Sequence, residues 1–156
     1  YLQELGYYVV YWKDAIAWTE EPQSFKELFK QLGRWYRGAW QTLIMHGTAV
    51  AKSKNKKLFT TTWLPMAEGL PFSYLWLSLP YLLHAYPEWG FSFLLIDVFS
   101  TSIPTFYHAR KRGLFKQVLK GFPEYYLLKT FNASAFIYGF WKTILEYIMG
   151  NRDWKH

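Results

Sequence analysis

Two long apolar runs constrain this chain more than any other feature of its sequence. The run 70–86 has no charged residue, and in the run 91–109 the charged residue is Asp97. Because a helix of about 20 apolar residues covers the hydrocarbon core of a bilayer, both runs are long enough to span a membrane. We therefore predict a transmembrane helical hairpin over residues 70–112, with a tight turn at 87–90.

Basic residues flank the predicted hairpin outside both apolar runs. They are Lys52, Lys54, Lys56 and Lys57 before the first run, and Arg110, Lys111 and Arg112 after the second. Lysine and arginine are enriched on the cytoplasmic side of membrane proteins, and the two ends of a hairpin lie on one side. We expect a multi-pass protein of the plasma (inner) membrane, in contact with the lipid bilayer, with its N-terminal region in the cytoplasm. The apolar stretch 58–67, broken by Pro65, is expected to lie along the interface.

Composition supports a membrane protein and argues against nucleic-acid-binding and metal-binding proteins. Aromatic residues make up 22% of the chain and crowd near the apolar runs, as rings do at membrane–water boundaries. The net charge of +7 would suit nucleic acid, anionic lipid or a phosphorylated substrate, but no nucleic-acid motif is present, so nucleic acid is excluded as a partner. The histidines lack metal-ligand spacing, and the adjacent Glu20 and Glu21 cannot share a helix face. No metal site is predicted within the chain.

The last part of the chain, residues 113–156, has two interpretations. Its first segment alternates apolar residues with Lys116 and Lys120, which is typical of a helix at a membrane surface. The following segment, 125–149, is apolar but carries three charged residues, namely Lys129, Lys142 and Glu146. It is either a third membrane span or an interfacial helix.

A capped amphipathic helix is predicted to begin near Phe25. Ser24 and Glu27 have the spacing of a capping box, in which both side chains accept hydrogen bonds from amides at the helix start. One apolar stripe, for packing or for the membrane, contains Phe25, Leu28, Phe29, Leu32, Tyr36, Ala39, Trp40 and Leu43. Gln31, Arg34 and Gly38 cluster on another side of the helix, with Trp35 at the boundary.

The polar face of this helix carries groups that suit a sugar nucleotide. The guanidinium of Arg34 offers paired donors to phosphate oxygens, and the amide of Gln31 can donate beside it. Trp35 offers a flat apolar surface for the C–H face of a sugar ring. Alternatively, this face simply meets water and Trp35 is only half buried.

The motif Gln-x-x-Arg-Trp, with the run that precedes it, resembles a known family. The run consists of Gly6-Tyr7-Tyr8-Val9-Val10-Tyr11 and the segment from Asp14-Ala15 through Thr19-Glu20 to Pro22-Gln23-Ser24. Order and spacing over about residues 1–45 are similar to those of the membrane-integrated processive glycosyltransferases of family 2. These include the synthases of cellulose, hyaluronan, chitin and poly-N-acetylglucosamine. The pairs Trp141-Lys142 and Trp154-Lys155 are loosely similar to the family's final segment.

The resemblance implies an inverting transfer of sugar from a nucleoside-diphosphate sugar to a growing glycan acceptor. Gln31 and Arg34 would bind the leaving diphosphate, and Trp35 would form the acceptor platform. The family's Mg²⁺ or Mn²⁺ ligands and its catalytic base would lie upstream of Tyr1, so no catalytic residue is expected in this chain. The missing catalytic domain would be part of the same protein, a separate subunit, or lost.

Together these observations predict a mainly α fold. Residues 1–23 are expected to be the tail of an α/β glycosyltransferase domain, with a helix end over 1–5 and a strand over 7–12. Residues 24–69 form the motif helix and basic loop, which is followed by the hairpin and the undecided region after residue 112.

Asp97 is expensive within a membrane span and usually marks a polar partner, a channel or a proton site. In the family that the chain resembles, the spans enclose a polymer channel, so Asp97 is a candidate for contact with the passing sugar. Alternatively, Asp97 forms a hydrogen bond with a neighbouring helix, or the membrane span is shifted along the sequence.

Two functions without catalysis remain as alternatives. A membrane subunit derived from such a synthase would act as a scaffold among other membrane subunits, using its aromatic surface. A peripheral module would bind anionic lipid through its lysine-rich loops.

Overall fold

The computed structural model describes residues 10, 14–17, 20–52 and 56–150. These residues form five helices and, within the described ranges, no strand. The helices are α1 (Phe25–Lys52), α2 (Lys56–Leu77), α3 (Leu79–Ala85), α4 (Pro87–Lys111) and α5 (Phe115–Ile148). The mainly helical fold is therefore confirmed. The predicted helix end over 1–5, nearly all of the strand over 7–12, and Trp154-Lys155 lie outside the described residues.

The start of α1 follows the local sequence. The helix begins at Phe25, as the capping box predicts. The backbone amide of Glu27 donates to Ser24 Oγ at 3.2 Å, and the backbone amide of Gln23 donates to Glu27 Oε2 at 2.9 Å. Both side chains thus satisfy amides that the helix itself leaves unpaired.

Prolines account for two corrections to the predicted elements. The predicted turn at 87–90 is wrong, because Pro87 begins α4. A proline suits the first helical position, where the amide it lacks would have no partner in the helix. The predicted break at Pro65 is also wrong, since α2 runs through this residue despite the loss of one backbone hydrogen bond.

The first predicted span, 70–86, is not one continuous helix. α2 ends at Leu77, and α3 is a helix of 7 residues that begins at Leu79. Pro80 explains the interruption, because in an unbroken helix its nitrogen would have to donate to the carbonyl of Trp76. The second predicted span, 91–109, lies within α4, which has 25 residues. Among the described residues, α4 is the one helix long and apolar enough to cross a membrane; the hairpin stays a prediction.

The chain divides into two compact units. The first contains the described residues up to Leu70 and those from Ala135 onward. Its core is formed by Trp40 and Leu43 of α1 with Phe136 of α5. The rings of Trp40 and Phe140 meet edge to face, with centroids 4.9 Å apart. The apolar stripe of α1 therefore packs against α5.

The second unit contains residues 71–134, and its core joins the end of α2 to α5. Trp76 stacks on Tyr126 with ring centroids 5.6 Å apart, and its indole N–H donates to Thr130 Oγ1 at 3.0 Å. Leu79 and Ala133 complete the buried set. An aromatic side chain is thus packed and hydrogen-bonded at once, which fixes its orientation.

Candidate functional site

A cavity of about 600 Å³ lies beside α1 in the first unit. Its lining is formed by Glu20, Glu21, Pro22, Glu27, Phe29, Lys30, Gln31, Gly33, Arg34, Arg37, Tyr138 and Lys142. The volume is within the range of sites that bind small molecules. The cavity brings the start of the motif helix together with the last part of α5.

The structure brings two of the three motif residues to this cavity. Gln31 and Arg34 both line it, as expected for residues three positions apart on a helix. Trp35 is not part of the lining, and 63% of this residue is exposed. Gln31 and Arg34, the residues predicted to bind diphosphate, thus share the cavity surface, while Trp35, the predicted acceptor platform, lies outside it.

Sequence reasoning missed three further cations of the cavity, namely Lys30, Arg37 and Lys142. Lys30 and Arg37 lie four residues before and three after Arg34, so helical spacing could have identified them. Lys142 comes from α5, and no local pattern could have placed it beside α1. The cavity therefore combines a planar guanidinium pair with two ammonium groups.

A carboxylate of α5 orients Arg37. Arg37 Nε donates to Glu146 Oε2 at 2.9 Å, and the amide nitrogen of Gln41 donates to the same oxygen at 3.3 Å. The side chain of Glu146 is 12% exposed and that of Arg37 is 36% exposed. Glu146 therefore fixes one end of the Arg37 guanidinium from within the helix interface.

The opposite wall of the cavity is built on a close helix contact. Gly33 is buried, and a Cβ atom added there would lie 3.4 Å from the Tyr138 ring. The Lys142 ammonium donates to the Tyr138 hydroxyl at 3.3 Å. The small residue in the motif thus lets Tyr138 approach α1, and Tyr138 in turn positions Lys142.

Carboxylates also line the cavity. Glu20 and Glu21 both reach it, together with Glu27. The rule that adjacent residues do not share a face does not apply to Glu20 and Glu21, because they precede α1 and are not helical. No group of three or more histidine, cysteine or acidic residues that could hold a metal ion occurs in the described part of the chain. The cavity carries charges of both signs, with its cations on α1 and α5.

Asp97 lies in the second unit, on α4, and is 6% exposed. Its Oδ1 forms an ion pair with the ammonium of Lys129 on α5. Its Oδ2 is buried without a hydrogen bond to any described residue. Asp97 therefore pairs with a neighbouring helix, and its contact with a passing sugar stays a prediction.

The chain was compared with protein-family models, with curated proteins and with solved structures, and nothing matched in any of the three comparisons.

Proposed function

We propose that this chain is part of a membrane glycosyltransferase that transfers sugar from a nucleoside-diphosphate sugar to a growing glycan. The cavity beside α1 would bind the diphosphate. The observation that carries this proposal is that Gln31 and Arg34 open onto one cavity of about 600 Å³. A guanidinium and an amide on one wall can donate to several oxygens of one diphosphate.

The other cations of the cavity support the same ligand. Lys30 and Lys142 would add positive charge around the phosphates, and Arg37 would present the donors that Glu146 leaves free. Arg34 is exposed, so its paired donors are accessible to a ligand. Its planar fork matches phosphate geometry better than an ammonium does.

Trp35 has a separate role in this proposal. Trp35 is not part of the cavity lining and is largely exposed, which leaves a flat apolar surface for the acceptor sugar. Donor phosphates and acceptor would then contact adjacent residues of one helix without competing for the same surface.

The proposal assigns no catalytic step to this chain. The described residues do not provide a ligand set for Mg²⁺ or Mn²⁺. As the resemblance implies, the proposal assigns the metal and the catalytic base to residues outside this chain. The part of this chain is to bind the leaving diphosphate and to orient the acceptor.

The proposed membrane attachment is supported by α4, which by length and composition could span a bilayer. We place the protein in the plasma (inner) membrane as a multi-pass protein. The basic residues Arg110 and Lys111 at the end of α4 would lie on the cytoplasmic side.

Nucleotide binding to the purified full chain in detergent micelles tests the proposal. Calorimetric titration with uridine, guanosine and adenosine diphosphates should show binding of at least one, and the matching nucleosides should not bind. Arg34→Lys keeps the charge but loses the paired geometry, so affinity should fall about tenfold. Lys26→Met is the matched control, because Lys26 is an exposed cation of α1 outside the cavity lining. Wild-type affinity in the Arg34→Lys variant would count against the diphosphate role.

The role of Trp35 needs a different readout. Trp35→Ala should leave nucleoside-diphosphate affinity unchanged, since its side chain lies outside the cavity lining. Polymer formation by the complete enzyme should be lost, while membrane insertion remains normal. Normal polymer from this variant would remove Trp35 from the acceptor site.

A membrane scaffold is the second candidate, and the outward face of α4 favours it. Large apolar residues are exposed there, including Trp89, Ile96 and Ile103. Such a surface would contact lipid or another membrane subunit. Absence of nucleoside-diphosphate binding, together with stoichiometric copurification in a larger complex, would select the scaffold over the enzyme.

A further inference from the structure

The buried and exposed faces of α4 differ in polarity. The acidic residue in the middle of the helix, Asp97, is buried. The exposed large side chains along the helix are Trp89, Phe91, Leu95, Ile96, Phe99, Ile103 and Tyr107. The helix that could span a membrane therefore presents an apolar surface outward and turns its carboxylate inward.

Lys129 of α5 meets this carboxylate inside an aromatic box. Its ammonium lies 4.8 Å from the ring centre of Phe72 and 4.5 Å from that of Trp76. The rings of Tyr125 and Tyr126 complete the box at 5.8 Å and 5.7 Å. The Lys129 side chain is 12% exposed. Ring faces are negative and stabilise a cation, so both charges are neutralised within the unit.

Like the middle of α4, residues 125–134 of α5 carry one charged residue, and this residue is paired. From Tyr125 to Ser134 the charged residue is Lys129. Leu127 and Leu128, which directly precede Lys129, are 52% and 46% exposed. A lone ammonium would exclude this segment from hydrocarbon, whereas a charge paired inside the helix bundle is tolerated there.

From this pairing we infer that α4 and residues 125–134 of α5 enter the hydrocarbon of the bilayer together, as one neutral helix pair. The Asp97–Lys129 ion pair in its aromatic box is the element that permits this. Ile96, Phe99 and Ile103 of α4 and Leu127 and Leu128 of α5 then face lipid. This inference is independent of any ligand in the cavity of the first unit.

Cysteine accessibility tests the lipid contact cleanly, because the chain contains no cysteine. Single variants Ile96→Cys, Leu127→Cys and Lys116→Cys of the full chain are placed in phosphatidylcholine–phosphatidylglycerol nanodiscs, which expose both membrane faces. They are then treated with a membrane-impermeant maleimide. We expect Lys116→Cys to be labelled, and Ile96→Cys and Leu127→Cys to be labelled only after denaturation in SDS. Labelling of Leu127→Cys at the rate of Lys116→Cys would overturn the inference, whether or not Ile96→Cys is protected.

Charge removal in the Leu127→Cys background tests the ion pair. Lys129→Met leaves Asp97 unpaired, so protection should be lost and the melting temperature in detergent should fall by about 10 °C. The double variant Asp97→Asn/Lys129→Met removes both charges at nearly constant volume and should restore protection. If the single variant does not insert, recovery of insertion by the double variant supports the inference equally. Full protection in the single variant, or none in the double variant, would overturn the role of the pair.

Discussion

Two ion pairs of α5 differ in their surroundings more than in their chemistry. In the first unit, Glu146 binds Arg37, which lines an open cavity, and the exposed fractions of the Arg37 and Glu146 side chains are 36% and 12%. In the second unit, Lys129 binds Asp97 inside an aromatic box, and the exposed fractions are 12% and 6%. Exposed pairs contribute little to stability, whereas breaking a buried pair leaves a charge that water cannot reach. We therefore expect the Arg37–Glu146 pair mainly to orient a side chain of the cavity, and the Asp97–Lys129 pair to stabilise the fold.

The largest effect is expected from breaking the buried pair. Asp97→Asn leaves the Lys129 ammonium unpaired among rings, and the free energy of unfolding should fall by about 3–5 kcal/mol. The measurement is chemical denaturation of the full chain in detergent micelles. Glu124→Gln is the matched control, because it makes the same chemical change at an exposed position of α5 and should alter stability by less than about 0.5 kcal/mol. Equal effects of the two variants would show that burial does not determine how much the Asp97–Lys129 pair contributes to the free energy of unfolding.

The next effect tests how closely α1 and α5 approach each other in the first unit. A Cβ atom at Gly139 would lie 2.8 Å from Cβ of Tyr36 and 2.9 Å from the backbone nitrogen of Arg37. Gly139→Ala should therefore destabilise the chain by about 1–3 kcal/mol and displace the cavity wall. Gly38→Ala is the control within α1, because a Cβ there meets nothing within 4 Å.

The two glycine variants should move stability in opposite directions. Gly38→Ala should increase the unfolding free energy by up to about 1 kcal/mol, since alanine favours a helix over glycine. Denaturation of both variants under one condition measures the difference. A stabilising Gly139→Ala would mean that α1 and α5 separate easily, and that the cavity between them is not fixed by this contact.

A local feature gives a smaller effect. Ser24→Ala removes the hydroxyl that accepts from the Glu27 amide at 3.2 Å, and should cost about 1 kcal/mol. Ser24→Asp keeps an acceptor and should retain stability close to that of the wild type. Circular dichroism during thermal unfolding compares the two. A similar loss in both variants would assign the effect to something other than the cap.

Features that depend on neighbouring residues could be predicted from the sequence, and features that depend on distant ones could not. The start of α1 follows from Ser24 and Glu27, and the shared face of Gln31 and Arg34 follows from helical spacing. The position of Lys142 at the cavity and the pairing of Glu146 with Arg37 were not predicted, because both depend on how α5 packs against α1. The same holds for the partner of Asp97, which is 32 positions away in the sequence.

Prolines limited the prediction of helix boundaries. The sequence predicts a turn at Pro87 and a break at Pro65, whereas Pro87 starts α4 and Pro65 lies inside α2. A proline at the first helical position costs no hydrogen bond of the helix, whereas a proline inside a helix costs one, and Pro65 shows that a helix can continue past this loss. At Pro80 the first apolar run is divided between α2 and α3, where the sequence alone predicts a continuous span.

The smallest effect is expected at the more exposed ion pair, Arg37–Glu146. It is the counterpart of the buried Asp97–Lys129 pair. Glu146→Gln removes the charge but keeps an oxygen that can accept from Arg37 and Gln41, so stability should fall by about 0.5 kcal/mol. The same denaturation experiment as for Asp97→Asn gives the value, and high salt should reduce the effect further because the guanidinium of Arg37 is in contact with solvent. A loss as large as that of Asp97→Asn, or one that salt does not change, would mean that the solvent exposure of Arg37 does not weaken its pair with Glu146. The two charges supplied by α5 would then both be structural, and Arg37 could not be regarded as a donor that remains available to a ligand in the cavity.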